Sequence, residues 1–159
     1  MAHNVVAFSF PFEHNTAPKR VPKFWVLLSE KLEDGLIKSP KIVYDELVAG
    51  NDELANWCKQ RREKGLCVAP GKVCQARYGE ICDFVEKKYP PRHVAEFLRG
   101  ADGWVIAHAM ASPGSIVVTQ ETPRNDSYRG KIKVPTVCKL MSVTCKDTFE
   151  FLDILDARF

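Results

Sequence analysis

The chain predicts an α/β domain, three layers deep (α/β/α), around a mostly parallel central sheet. Two observations carry that expectation. Short β-branched runs alternate with amphipathic helical segments along most of the chain, the order that builds parallel sheets covered by helices. The block Gly100 to Glu121 adds a more specific pattern. Trp104, Val105, Ile106, Ala107, Ala109 and Met110 form an apolar helical run that Pro113-Gly114 stops. Ile116-Val117-Val118 then reads as a strand covered on both faces. A helix of about 11 residues is roughly 16 Å long. A strand of about five residues has nearly the same length. In a parallel sheet the helix therefore starts, and the strand ends, at the carboxyl edge. Asp102 and Glu121 meet there, where open α/β sheets place their ligands. Two carboxylates at that edge suggest a divalent-cation site. The plainer reading makes Asp102 a helix-end stabiliser and Glu121 the first polar residue after a strand.

The remaining elements follow in order. Val5 to Phe10 reads as a first strand, and residues 11 to 22 as a Pro-rich connection. Phe24 to Leu32 is an amphipathic helix closed by Asp34-Gly35, with a brief extended piece at Leu36-Ile37. Ser39-Pro40 forms an N-cap and first-turn pair for a helix over Lys41 to Val48. Asn51-Asp52 caps a helix carrying Leu54, Trp57 and Cys58 that ends near Gly65. Leu66 to Ala69 is a short strand, Gly71 to Tyr89 a long helix stopped by Pro90-Pro91, and Val94 to Leu98 a shorter one. After the Asp102–Glu121 block comes a polar loop over residues 122 to 132. A helix starts at Val134, a last strand is marked by Val143, and a C-terminal helix begins at Asp147-Thr148-Phe149.

Composition narrows the class. A chain of 159 residues fits one domain, residues 1–159, with a real core. No apolar run is long enough to span a membrane, and the N-terminal apolar stretch lacks the basic flank and cleavage site of a signal peptide. The six cysteines include no CxxC pair, and no histidine stands at zinc-ligand spacing from a pair. A reduced, cytoplasmic protein is the simplest account. His108 lies within an apolar helical run and reads as a packed residue rather than a catalyst. The sequence has no P-loop, GxGxxG or GxSxG, so neither a nucleotide cofactor nor a serine hydrolase has support. The net charge of +3 is too mild to require a nucleic acid, but its distribution is uneven. Lys59, Arg61, Arg62 and Lys64 cluster at one helix end, and Arg124, Arg129, Lys131 and Lys133 follow Glu121. Such patches hold phosphates or simply form solvated surface.

Four pieces together resemble a known family. They are Phe24-Trp25 with its helix, Val43-Tyr44-Asp45-Glu46-Leu47, the Asp102–Glu121 block, and Val134-Pro135 to Cys138 followed by Thr148-Phe149-Glu150. The pattern resembles the PIN-like domain superfamily of metal-dependent nucleases. It looks most like a compact branch of unassigned function, related to the ribonuclease toxins of toxin–antitoxin systems. The resemblance runs from about Phe24 to the C-terminus.

The resemblance implies that Glu46, Asp102 and Glu121 are the catalytic carboxylates and bind one or two Mg²⁺ or Mn²⁺ ions. It implies RNA as substrate, contacted by Arg124, Arg129 and Lys131, and places Thr119 where the family often has a hydroxyl. It also brings an antitoxin protein and a homodimer into view as partners. Asp45 is a weaker stand-in for Glu46, because it points about 100° around the helix. One departure matters. PIN nucleases carry an Asp at the end of the first strand, and that region here reads Asn4 to Phe10 with no acid. Ser9 or Asn4 offers only a neutral oxygen, and Glu13 lies beyond the strand. Two functions therefore stand side by side: a metal-dependent endoribonuclease with an atypical site, and a degenerate PIN-like module that binds RNA or a protein without turnover.

Overall fold

The computed structural model describes residues 5–8, 18–123 and 128–156, with the backbone alone for residues 5–8. Five short strands form one sheet: β1 (Val5–Phe8), β2 (Ile37–Pro40), β3 (Cys67–Val68), β4 (Ile116–Val118) and β5 (Thr144–Lys146). Their order is β3-β2-β1-β4-β5, and every pairing is parallel. Parallel neighbours cannot be joined by a tight turn, so the connections carry helices. Those are α1 (Pro22–Glu33), α2 (Lys41–Val48), α3 (Glu53–Gln60), α4 (Lys72–Lys88), α5 (Pro91–Arg99), α6 (Asp102–Ala111), α7 (Val134–Leu140) and α8 (Thr148–Ile154). The strand order reverses direction between β1 and β4, and open α/β sheets form their ligand crevice at such a point. None of the described helices is long and apolar enough to cross a membrane.

The mixed α/β class expected from the sequence is present, and β4 shows how it is packed. Successive side chains on a strand point to opposite faces. Val117 enters one hydrophobic core with Ile81, Val85, Phe97, Val105, Ile106 and Val137. Ile116 and Val118 enter a second, with Trp25, Leu28, Leu32, Trp57 and Phe151. Helices α4 to α7 supply most of the first core, whereas α1, α3 and α8 line the second. Between α4 and α6 the approach is close. Tyr78 stacks on Trp104 at 3.8 Å, and a Cβ on Gly103 would come within 3.0 Å of the Tyr78 ring.

Local chemistry explains most element boundaries. Asp52 caps α3 by accepting a hydrogen bond from the Ala55 amide (2.8 Å), as the sequence suggests. The Gly65 turn that follows has φ of 88°, a left-handed geometry suited to glycine. Ser39-Pro40 behaves differently from the expected cap pair. Both residues belong to β2, Ser39 donates its amide to the Leu66 carbonyl, and Pro40 becomes the N-cap of α2 without a side-chain bond. Pairing with β3 has claimed the serine. The last strand begins at Thr144, one residue after the expected Val143. Ser9 and Phe10 of the expected first strand, together with the Pro-rich residues 11–17, lie outside the described residues.

Helix α8 is held by two separable devices. Asp147 Oδ1 accepts from the Glu150 amide (2.8 Å) and Glu150 Oε2 from the Asp147 amide (2.9 Å), a reciprocal capping box. Phe151 is completely buried against the second core. Removing the ring by Phe151→Ala is expected to cost about 3–5 kcal/mol of stability. Asp147→Ala should cost about 1 kcal/mol. Urea unfolding of the two variants checks both values.

Candidate metal and RNA site

Three elements bring carboxylates toward the carboxyl edge of the sheet. Asp102 opens α6, whose chain leads through a turn into β4. The cap position of that helix is Ala101, and no side-chain cap bond is made there, so capping is not what Asp102 does. Its side chain is half-buried. Glu121 follows the end of β4 and is fixed at both ends. Its amide donates to Thr119 Oγ1 (3.1 Å), and its Oε2 accepts from the Val134 amide (2.9 Å) at the start of α7. Thr119 is almost wholly buried, and its own amide donates to the Lys146 carbonyl (2.9 Å), continuing the β4–β5 ladder. Glu46 sits exposed on α2, next to the buried pair Val43 and Tyr44.

Asp102 feels the charges of the other two. Burial, then the charges of Glu121 and Glu46, push the Asp102 carboxyl up to about 6, while Lys131 and Lys133 pull it back. The sequence-predicted carboxylates thus share one electrostatic neighbourhood, although they come from distant parts of the chain. They do not close around a common point. Among the described residues, no group of three or more His, Cys, Asp or Glu side chains stands at metal-holding spacing. A hard divalent ion suits this donor set through one or two direct carboxylates with water completing its shell, the usual manner of Mg²⁺. A carboxylate held above its ordinary pKa by burial and like neighbours is a group that gains from a cation.

The basic candidates divide. Ile132 is buried, which sets Lys131 and Lys133 on either side of it, the former exposed and the latter half-buried. Tyr128 anchors this segment by packing edge-on against Tyr89 at 5.3 Å, with the Lys88 ammonium 5.8 Å from its ring centre. Arg129 is exposed. Arg124 and Ser9 lie outside the described residues. Asp45 pairs with Lys41 and so has a structural partner of its own. The other basic cluster is also engaged: Arg61 lies over Trp57 (4.4 Å) and donates to Ser29, and Lys64 pairs with Glu33.

A cavity of about 290 Å³ adjoins Glu121 and is lined also by Thr119, Cys145, Lys146, Asp147 and Glu150. Sequence reasoning did not single out Cys145. Its thiol is hydrogen-bonded to that of the fully buried Cys138, which holds Cys145 below its ordinary pKa and pushes Cys138 up. Lys133, noted in the sequence only as part of a basic run, is one of the two cations closest in effect to Asp102. Only the folded path of residues 128–133 makes that apparent.

One comparison with known proteins decides the family. The chain belongs to the DUF4411 family. The family model, described as a domain of unknown function, matches residues 8–159. No curated protein and no solved structure matches the chain. The DUF4411 match spans Glu46, Asp102 and Glu121 together, along with the basic segment after them.

The raised Asp102 carboxyl has a consequence for stability. Its folded pKa is about 6 against an ordinary value of 3.8, so the folded state holds the proton more tightly than the unfolded chain. Protonated Asp102 carries no penalty below about pH 4, and the cost grows as pH rises between these values and is complete above about 6. Two units correspond to roughly 3 kcal/mol at most, and partial solvent contact reduces this to about 1–2. Asp102→Asn should therefore raise the melting temperature at pH 8 without divalent ions, and the gain should vanish at pH 4. Thermal unfolding of both proteins across that range checks it.

Proposed function

We propose that this chain is a PIN-like, Mg²⁺- or Mn²⁺-dependent endoribonuclease with an atypical site, built as a three-layer α/β/α domain. The observation that supports this most is the electrostatic effect of Glu121 and Glu46 on Asp102, beside Lys131 and Lys133. When bound, the divalent ion would supply Lewis-acid stabilisation of the scissile phosphate and an activated water. Asp102 would hold the ion directly, with Glu46 and the free oxygen of Glu121 reaching it through water while Val134 retains the other oxygen. Lys131 and Lys133, with Arg129, neutralise the RNA backbone on the approach to the carboxylates. Thr119 positions Glu121 through the backbone bond. A cytoplasmic toxin module, with an antitoxin partner and a homodimeric assembly, belongs to the same proposal through the family resemblance.

A second reading rests on a specific observation. β1 is the central strand of the sheet, and Val5-Val6-Ala7-Phe8 brings no carboxylate to the crevice. With that ligand absent, the same surface serves as a non-catalytic module that binds RNA or a protein.

Calorimetric titration of metal-free protein with Mn²⁺, followed by RNA cleavage assays, separates the two. The nuclease reading expects saturable Mn²⁺ binding that weakens at least about tenfold in Asp102→Asn, with cleavage lost in that variant and in chelator. Cleavage that persists in chelator would sink the metal mechanism. Salt-sensitive RNA binding without turnover, at any Mn²⁺ concentration, would establish the degenerate module instead.

A further inference from the structure

A second cavity, of about 330 Å³, lies on another part of the molecule. Its lining includes Gly71, Lys72 and Cys74 from the start of α4, Lys38 from β2, and His108 and Ser112 from the end of α6. His108 is six residues from Asp102, about 240° around α6, so it faces away from the carboxylate site.

Three features converge on this cavity. The first is the amino end of α4, a helix of 17 residues with no side-chain cap bond. Its first amides have no intrahelical acceptor, and the helix dipole places partial positive charge there. Gly71 leaves the approach open, since a Cβ at that position would meet nothing within 4 Å. The second is a pair of lysines, Lys38 half-buried and Lys72 exposed, neither of which has an ion-pair partner among the described residues. The third is His108 itself. It is only 7% exposed, yet it has no hydrogen-bond partner among the described residues. Burial lowers its pKa, so the ring is neutral and offers one N–H donor. Its ring nitrogens are not among the described polar atoms shut off from solvent, so they stay accessible to a ligand acceptor in the cavity the residue lines.

We infer that this cavity is a binding site for a terminal phosphate group, held by the α4 amides, Lys38, Lys72 and His108. The donors approach from three different elements, which suits a tetrahedral dianion better than a flat carboxylate with only two oxygens. The terminal phosphate belongs either to free phosphate or to a small phosphate monoester. The site uses none of the carboxylates of the proposed nuclease centre and stands whether or not that centre is active.

The test uses the full chain in chelator, so that divalent-ion chemistry plays no part. Calorimetry and thermal shift follow titration with inorganic phosphate, with a nucleoside 5′-monophosphate, and with the same nucleoside lacking phosphate, against chloride at equal ionic strength. Saturable binding of either phosphate compound is expected, with none for the nucleoside. Tighter binding of the monophosphate assigns the site to a monoester, and equal binding assigns it to free phosphate. Lys72→Glu, a surface change, should weaken affinity by about tenfold or more. The His108 ring resonances should shift with phosphate while those of His93 stay fixed. This readout needs no substitution in the core. Absence of saturable phosphate binding into the millimolar range, equal affinity in Lys72→Glu, an unmoved His108 signal, or equal binding of the bare nucleoside would each overturn the assignment.

Discussion

Strand β4 has no solvent face, and the rest of the molecule is arranged by that constraint. Its three residues are buried on both sides, and it pairs in parallel with β1 on one edge and β5 on the other. A strand so enclosed must receive its chain from a helix that runs back across the sheet, which is α6. It must also release the chain at the crevice where the strand order reverses. The positions of Asp102 and Glu121 follow from that path. Neither carboxylate could move to the opposite edge without reversing β4, which would break its parallel pairing with both β1 and β5.

The sequence made this block readable because its signals are strong and local. A helix stop at Pro113-Gly114 and an uninterrupted β-branched run leave little choice of element, and the near-equal lengths place both carboxylates at one end. Asp52 was readable for the same reason, since a cap acts within its own turn. Ser39 was not. Its role depends on Leu66, whose carbonyl it meets only after β2 and β3 have paired, and no local pattern announces a two-residue strand. The hydrogen bond from Val134 to Glu121 was equally out of reach, because it closes a loop whose course is set by the burial of Ile132. Lys133 acquires its closeness to Asp102 by that same course.

The two candidate ligand sites differ in how their charge is compensated. At the sheet edge three acids share a field with two lysines, and Glu121 is already committed to a backbone amide. Around the start of α4 the charged side chains lining the cavity are lysines, and no acid is among its lining residues. One chain therefore presents an acidic and a basic recess separated by the length of one helix, with α6 contributing to both. The family's own description assigns neither.

The stacking of Tyr78 on Trp104 gives the molecule a built-in optical reporter. Trp104 sits in the first turn of α6, two residues from Asp102, with its ring against a tyrosine at 3.8 Å. The other two tryptophans, Trp25 and Trp57, pack against each other in the opposite core. Fluorescence from this protein thus has one component tied to the start of α6 and one tied to the far side of the sheet. A displacement at the carboxylate edge alters the first and leaves the second as an internal reference.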